Sequence, residues 1–457
     1  MTQDKWLQSE STGLLTDLYQ ITMAAAYFEH GMSEPATFSL FMRNLPQNRS
    51  FFLAAGLEEA LDYLENLRFG PEAIDYLRGT GNFKEAFLEH LADFRFDGNV
   101  VAVREGTVLF PNEPILEVTA PILQAQLAET YLMNALQLGT LIASKAARIR
   151  IAAQDRSVVD FASRRAHGRD AALKVARSSY IGGCHGTSNV LAGMKYGIPI
   201  EGTVAHSFVQ SFEHELDAYR AFAHVFPSNT VLLIDTYDTL EGARHAVTVG
   251  REMAERGAQL RGVRLDSGDM IRLAKEVRRI LDEGGLTEAK IFASGALNEY
   301  RIEEALAAGA PIDGFGVGSH LGVSYDAPVL DIVYKLVEYA GRPVVKLSQD
   351  KQTLAGRKQF FRRYADSGEM LEDLIALRDE ELEGAEPLLF PVMARGKRLS
   401  APTPLNEIRE YAAENLARLP ARLKTLRETA PYPVRQSEAI RALQSKLVEE
   451  HGGMVSR

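Results

Sequence analysis

The sequence predicts an α/β protein built around a parallel sheet, either closed into a barrel or left as a doubly wound open sheet. Three observations carry that expectation. From about Ser157, short β-branched runs end in polar or glycine-containing turns and are followed by amphipathic helices. The run ends near Asp235, Asp266 and Ser294 are 31 and 28 residues apart, the length of one βα unit. The chain has 457 residues, enough for a large barrel and an appended domain.

The first ~150 residues mix elements without a regular beat. Thr16 is placed to cap a helix running to His30, with Leu18, Ile21, Ala25 and Phe28 on one face. Two β-rich pieces, Val100–Phe110 and Ile115–Thr119, are separated by the turn formers Pro111 and Asn112. Pro121–Ala153 reads as one or two long helices, broken or bent near Gly139. The βα beat then supplies strands at 157–161, 202–206, 230–235, 262–266, 290–294 and 314–318. After Lys346 the beat is lost, and charged helical sequence is punctuated by Pro402, Pro404, Pro420, Pro431 and Pro433. The expected division is an N-terminal α+β part at 1–150, the βα part at 151–348, and a mainly helical region at 349–457 that packs on the N-terminal part.

Composition narrows the function. Lys and Arg number 51 against 61 Asp and Glu, a net charge of −10, and the pI is about 5.6. Phosphate-backbone affinity needs massed cations, so nucleic acid is not an expected partner. The single cysteine, Cys184, excludes an intramolecular disulfide and a cysteine-cluster metal site. The opening residues lack a basic and apolar leader pattern, and no stretch is long and apolar enough to span a bilayer. A cytoplasmic protein with no membrane partner is expected.

Groups just past the C-termini of parallel strands face the ligand site, which singles out His206, Asp235, Asp238, Arg264, Asp266, Ser294 and Gly318. Gly314, Gly316 and Gly318 before Ser319 could cradle a phosphate on backbone N–H groups, with Ser294 and Gly295 adding an adjacent loop. A tight βα turn needs glycine too. Arg264 and Asp266 share strand parity, so both can point into the mouth of the sheet. An inward arginine there wants an anion, and the alternative is a structural Arg–Asp ion pair. Arg164 and Arg165 follow Phe161, a pattern that suits either an anion beside a planar ring or a solvated surface. His206, beside Thr203 and Ser207, falls at an expected strand end; many lone histidines are merely structural. Asp235 is a candidate for a hydroxyl or metal. No HExxH and no GxxxxGK[ST] occurs.

Several segments resemble the nicotinate phosphoribosyltransferase family of type II phosphoribosyltransferases. They are ThrAspLeuTyrGlnIleThrMet at 16–23, PheAlaSerArgArgAla at 161–166, GlyThrSerAsnValLeuAlaGly at 186–193, GlyThrValAlaHisSerPhe at 202–208, AspThrTyrAspThr at 235–239, ValArgLeuAspSerGlyAsp at 263–269, GlyPheGlyValGlySer at 314–319 and LysGlnThrLeuAlaGly at 351–356. The resemblance implies an irregular parallel α/β barrel, a sandwich-like domain built from both chain ends, and a homodimer with shared active sites. It implies nicotinate and 5-phosphoribosyl 1-diphosphate as substrates, ATP as co-substrate, magnesium, and a place in NAD salvage. His206 matches the histidine that ATP phosphorylates. Tyr19, from a partner subunit, and Phe161 would sandwich the pyridine, with Arg264 and Thr203 binding nicotinate and Arg165 beside the substrate anions. Asp266 would hold the ribose, Asp235 a hydroxyl or magnesium, and Ser294, Gly295, Gly316, Gly318 and Ser319 the 5′-phosphate; Thr353 matches a residue associated with the diphosphate substrate. Ser188 stands where the related nicotinamide-using enzyme has an aspartate, which favours an acid over an amide. A nicotinamide or quinolinate enzyme, a barrel lyase or isomerase, and a silent ligand-binding homologue are the alternatives.

Overall fold

The computed structural model describes residues 9–347 and 353–455, so Lys351 and Gln352 of the last motif lie outside the described residues. Contacts divide the chain into two compact units, residues 142–328 and residues 1–141 with 329–457.

The unit at 142–328 has six parallel strands: β1 (Ser157–Asp160), β2 (Gly186–Thr187), β3 (Val231–Leu233), β4 (Gly262–Leu265), β5 (Lys290–Ala293) and β6 (Gly314–Val317). Their order is β2-β1-β6-β5-β4-β3. The α/β class is as expected; the hydrogen-bonded ladder runs from β2 to β3 and shows no closure among the described residues. Five of the six expected strands form. The sixth, at 202–206, does not: residues 201–205 carry no regular structure, and His206 opens a short helix. The ladder reaches only as far as an isolated bridge between Thr187 and Ile200, just before Gly202. In its place β2 joins β1, two residues too short to leave a periodic signal.

The crossover helices are α1 (Arg169–Ile181), α2 (Val190–Tyr196), α3 (His206–Gln210), α4 (Glu215–Val225), α5 (Thr239–Glu255), α6 (Met270–Glu283), α7 (Glu299–Ala307) and α8 (Ser319–Gly322). Helix α6 shows why they form, burying Leu273, Ala274, Val277, Ile280 and Leu281 at three- and four-residue spacing. Four of them start on a side-chain cap. Asn189, Asp238, Asp269 and Asn298 each accept from an N–H of the first turn. Asp238 is thereby a cap for α5, accepting from Glu241 N at 2.8 Å.

In the other unit a seven-stranded sheet contains Ile332–Tyr339, Pro35–Met42, Pro114–Pro121, Asn99–Ala102 and Phe390–Ala394 as successive antiparallel neighbours. Pro35–Met42 is buried at every position after the first, so both faces are covered and no alternation shows in the sequence. The first α-helix is Leu18–Glu29; Asp17 and not Thr16 holds its N-cap position, without a side-chain cap bond, and the helix buries Gln20, Ile21 and Ala24 while Leu18 is exposed. The long helical stretch breaks at Ala128, between Ile122–Leu127 and Glu129–Ala153. Gly139 lies inside the second of these helices. A Cβ there would sit 2.6 Å from the Ala55 carbonyl oxygen, so this glycine permits a close backbone approach.

The C-terminal region is not mainly helical. Lys358–Tyr364, Met370–Leu377, Val434–Gln436 and Glu386–Pro387 make a four-stranded sheet, beside helices Leu405–Ala417 and Glu438–Val455. Its charged residues hid the strands. Arg362 and Asp373 are fully buried and paired, with Nε–Oδ1 at 2.9 Å and Nη2–Oδ2 at 2.6 Å, and Tyr432 donates to the same carboxylate at 3.0 Å. Removing one member leaves a buried charge uncompensated. Arg362→Met is therefore expected to lower unfolding stability by about 3–5 kcal/mol in urea denaturation; a change under about 1 kcal/mol contradicts this reading.

Candidate active site

The loops after β3, β4 and β5 converge through hydrogen bonds. Asp235 follows β3, and its Oδ2 accepts from Asp266 N at 2.9 Å and Ser267 Oγ at 2.6 Å, while Oδ1 is buried with no partner. Asp266 follows β4; its Oδ1 accepts from Ser294 Oγ at the end of β5, and its Oδ2 lies 3.9 Å from His206 Nε2. The Nδ1 of His206 is 3.1 Å from Thr236 Oγ1. Asp235, Asp266, Ser294 and His206 are thus one connected constellation, with the histidine delivered by the start of α3 instead of a strand end. Gly295 must be glycine: its φ is +88°, and a Cβ would lie 1.8 Å from the Asp266 carbonyl oxygen.

A separate cavity of about 400 Å³ has a lining that includes Phe161, Thr203, Arg264, Phe292 and Gly316. Arg264 makes no ion pair with Asp266. It donates from Nη2 to the Val204 carbonyl at 3.0 Å, sits 5.9 Å from the centre of the Phe161 ring, and keeps Nε buried without an acceptor. Burial depresses its pKa, and the carboxylates of Asp266 and Asp235 oppose that. A shielded guanidinium with an unused donor is a receptor for an anion.

Phe161 is held by the end of β1. Asp160 is buried and accepts from Ala162 N and Thr187 Oγ1, each at 2.8 Å, fixing both the Phe161 loop and the turn at Ser188, whose N–H binds the Asp160 carbonyl at 2.8 Å. Burial raises the Asp160 carboxyl pKa, and the two donors oppose it. The glycines of β6 answer to packing: a Cβ on Gly316 would lie 2.4 Å from the Phe161 ring, and one on Gly314 would lie 2.5 Å from Ser157 Oγ. Gly318 stands outside that constraint, its closest would-be contact being the Phe161 carbonyl at 3.4 Å, and it precedes the exposed Ser319 at the start of α8. Arg165 is exposed in the short 3-10 turn after Phe161.

Tyr19 and Thr353 belong to the other unit. Tyr19 is 49% exposed on the first helix. Thr353 is buried, its Oγ1 accepting from Lys346 N at 3.3 Å.

Three supporting groups were not foreseen. Asp160 and Thr236 are short polar residues at strand ends, a visible signal. Lys145 is buried, its Nζ 2.5 Å from Glu299 Oε2 and 2.6 Å from Asp326 Oδ1; Arg148 Nε meets Glu299 Oε1 at 3.1 Å. This cluster ties α7, which follows the Gly295 loop, to the segment after α8. Among the described residues no group of three or more His, Cys, Asp or Glu could hold a metal, and no helix is long and apolar enough to cross a membrane.

The parallel α/β sheet thus brings an arginine without a carboxylate partner, two linked carboxylates and a histidine toward its carboxyl end, an arrangement suited to an anionic ligand. Comparison with known proteins specifies it. Models of the nicotinate phosphoribosyltransferase N-terminal domain, family and C-terminal domain match residues 14–137, 156–368 and 383–444, and the chain belongs to that family. A nicotinate phosphoribosyltransferase of Mycobacterium tuberculosis is 49% identical over 93% of this chain and 92% of its own length. That of Bacillus subtilis is 38% identical over 94% of both. The crystal structure of human nicotinic acid phosphoribosyltransferase superposes with a TM-score of 0.86 at 30% identity, covering 94% of this chain and 99% of the human one.

Proposed function

We propose that this chain transfers the phosphoribosyl group of 5-phosphoribosyl 1-diphosphate to nicotinate, coupled to ATP hydrolysis through a phosphohistidine at His206, as a step of NAD salvage. The observation that carries the substrate choice is the Arg264 guanidinium, which lines the cavity with Phe161 and pairs with no carboxylate among the described residues. A nicotinate carboxylate supplies that partner while the pyridine ring stacks on Phe161, with Thr203 at the cavity wall. Tyr19 of a second copy covers the other ring face, as in a homodimer with shared sites.

The pyridine nitrogen forms the bond to C1 as the C1–O bond to diphosphate breaks. The oxocarbenium-like transition state needs positioning and leaving-group neutralisation more than a strong base. Asp266, steadied by Ser294, is placed for the ribose hydroxyls. Gly295, Gly318 and Ser319 offer backbone and hydroxyl donors to the 5′-phosphate, with the exposed Arg165 near the anions. Magnesium, arriving with the diphosphate, supplies charge neutralisation. The orphaned Oδ1 of Asp235 fits it or a sugar hydroxyl.

With Nδ1 of His206 bonded to Thr236, Nε2 is the free nitrogen. It attacks the γ-phosphorus of ATP, releasing ADP, and water later cleaves the N–P bond to give phosphate. The phosphoryl group brings roughly two negative charges next to Asp266 and resets the affinity for the diphosphate. Incubation with γ-labelled ATP is expected to leave acid-labile label on His206; label on another residue, or ATP turnover with none, removes this part of the proposal.

Ser188 carries no charge against the nicotinate carboxylate. Ser188→Asp is expected to lower kcat/KM for nicotinate at least about 10-fold while sparing nicotinamide, as one like-charge contact costs roughly 1.4 kcal/mol or more. Equal losses for both pyridines contradict that role.

A further inference from the structure

The unit formed by the two chain ends contains a second built cleft, of about 480 Å³, within the size range of small-molecule sites. Its walls include the apolar residues Leu57, Leu61, Val103 and Ile408. Its feature is Arg104. The guanidinium lies 5.0 Å from the centre of the Phe390 ring and 6.0 Å from that of Tyr411, and no carboxylate or carbonyl bonds to it among the described residues. Stacking on aromatic faces uses the plane of the guanidinium and leaves its edge N–H donors open.

The surrounding geometry holds the backbone that carries Arg104, whose side chain is itself exposed. The Arg104–Thr107 turn closes by a Thr107 N–H bond to the Arg104 carbonyl at 3.2 Å, and the Glu105 carboxylate accepts from Gly56 N at 2.6 Å. Gly106 has φ +87° and packs directly on helix Leu405–Ala417, a Cβ there meeting Ala412 Cβ at 3.0 Å. The other cation in the lining, Arg398, is committed to Glu58 and Glu65. Glu407 stands exposed at the rim. The first turn of helix Leu405–Ala417, which also lines the cleft, receives no side-chain cap from Pro404. A guanidinium set against two aromatic rings above an apolar wall, with its edge donors open, is available to an anion.

We propose that this cleft is a second ligand site, taking a small organic anion whose carboxylate or phosphate bonds the edge of Arg104 while its apolar or aromatic body lies on the cleft wall. The proposal is independent of the reaction assigned to the other unit. It is tested by calorimetric titration of the full chain carrying Arg264→Ala, which disables the pyridine cavity, with benzoate, AMP and inorganic phosphate as separate probes. Benzoate reads the carboxylate source, AMP the phosphate source, and inorganic phosphate the anion without a body. The expected result is binding of benzoate or AMP that weakens at least 10-fold when Arg104→Ala is added, is only partly restored by Arg104→Lys, and exceeds that of inorganic phosphate. Thermal unfolding of the probe-free variants is expected to coincide. Absence of binding by all three probes, no binding component that is lost in the Arg104→Ala background, or an Arg104-dependent phosphate component as tight as that of AMP overturns the proposal.

Discussion

His206→Ala is expected to abolish ATP stimulation while leaving a weak, ATP-independent transfer of the phosphoribosyl group. The pairing of its Nδ1 with Thr236 and the 3.9 Å separation of its Nε2 from Asp266 put the histidine at the edge of the carboxylate constellation, so that a phosphoryl group on it would lie beside Asp266. Neither contact makes it the base or nucleophile for bond formation at C1. Phosphorylation of one nitrogen changes affinity at a neighbouring site by a coupling free energy, typically 1–3 kcal/mol or roughly 5–150-fold. Rates with and without ATP at subsaturating phosphoribosyl diphosphate should therefore converge in the variant. Retention of full ATP coupling would reassign the phosphoacceptor.

Arg264→Ala is expected to lower kcat/KM for nicotinate about 10–150-fold, the cost of a charge-assisted hydrogen bond of roughly 1.5–3 kcal/mol. The loss should fall on KM for nicotinate, with KM for phosphoribosyl diphosphate little changed. Lysine should not restore it: its point charge cannot both bond the Val204 carbonyl and offer a fork to a carboxylate. If the variant instead loses affinity for phosphoribosyl diphosphate alone, Arg264 belongs to the phosphate subsite and the pyridine pocket must be placed elsewhere.

The parallel sheet was legible because β-branched runs ending in Asp or Ser recur with the βα spacing, and the strand-end rule then selected Asp235, Asp266 and Ser294. Arg264 was legible through its parity with Asp266. His206 was found as a residue, yet its element was misread: a ThrValAla run scores as strand, although no neighbouring strand pairs with it beyond Ile200. Gly316 illustrates a second limit. Its neighbour in space, Phe161, is remote in sequence, so a glycine needed for ring packing reads like a phosphate loop. The same applies to Lys145 and Glu299, whose buried pairing spans 154 positions. In the C-terminal sheet Arg362 and Asp373 look like surface charges until the pairing that neutralises them is seen. Burial of paired charge leaves no local pattern, whereas apolar periodicity does.

The central claim is tested most directly by mixing the purified chain with 5-phosphoribosyl 1-diphosphate and magnesium, with and without ATP, and supplying nicotinate, nicotinamide or quinolinate in turn. Nicotinate alone is expected to yield its mononucleotide and diphosphate, faster when ATP is present. Mononucleotide formed from nicotinamide or quinolinate but not from nicotinate would contradict the assignment of Arg264 and Ser188, and with it the proposed reaction.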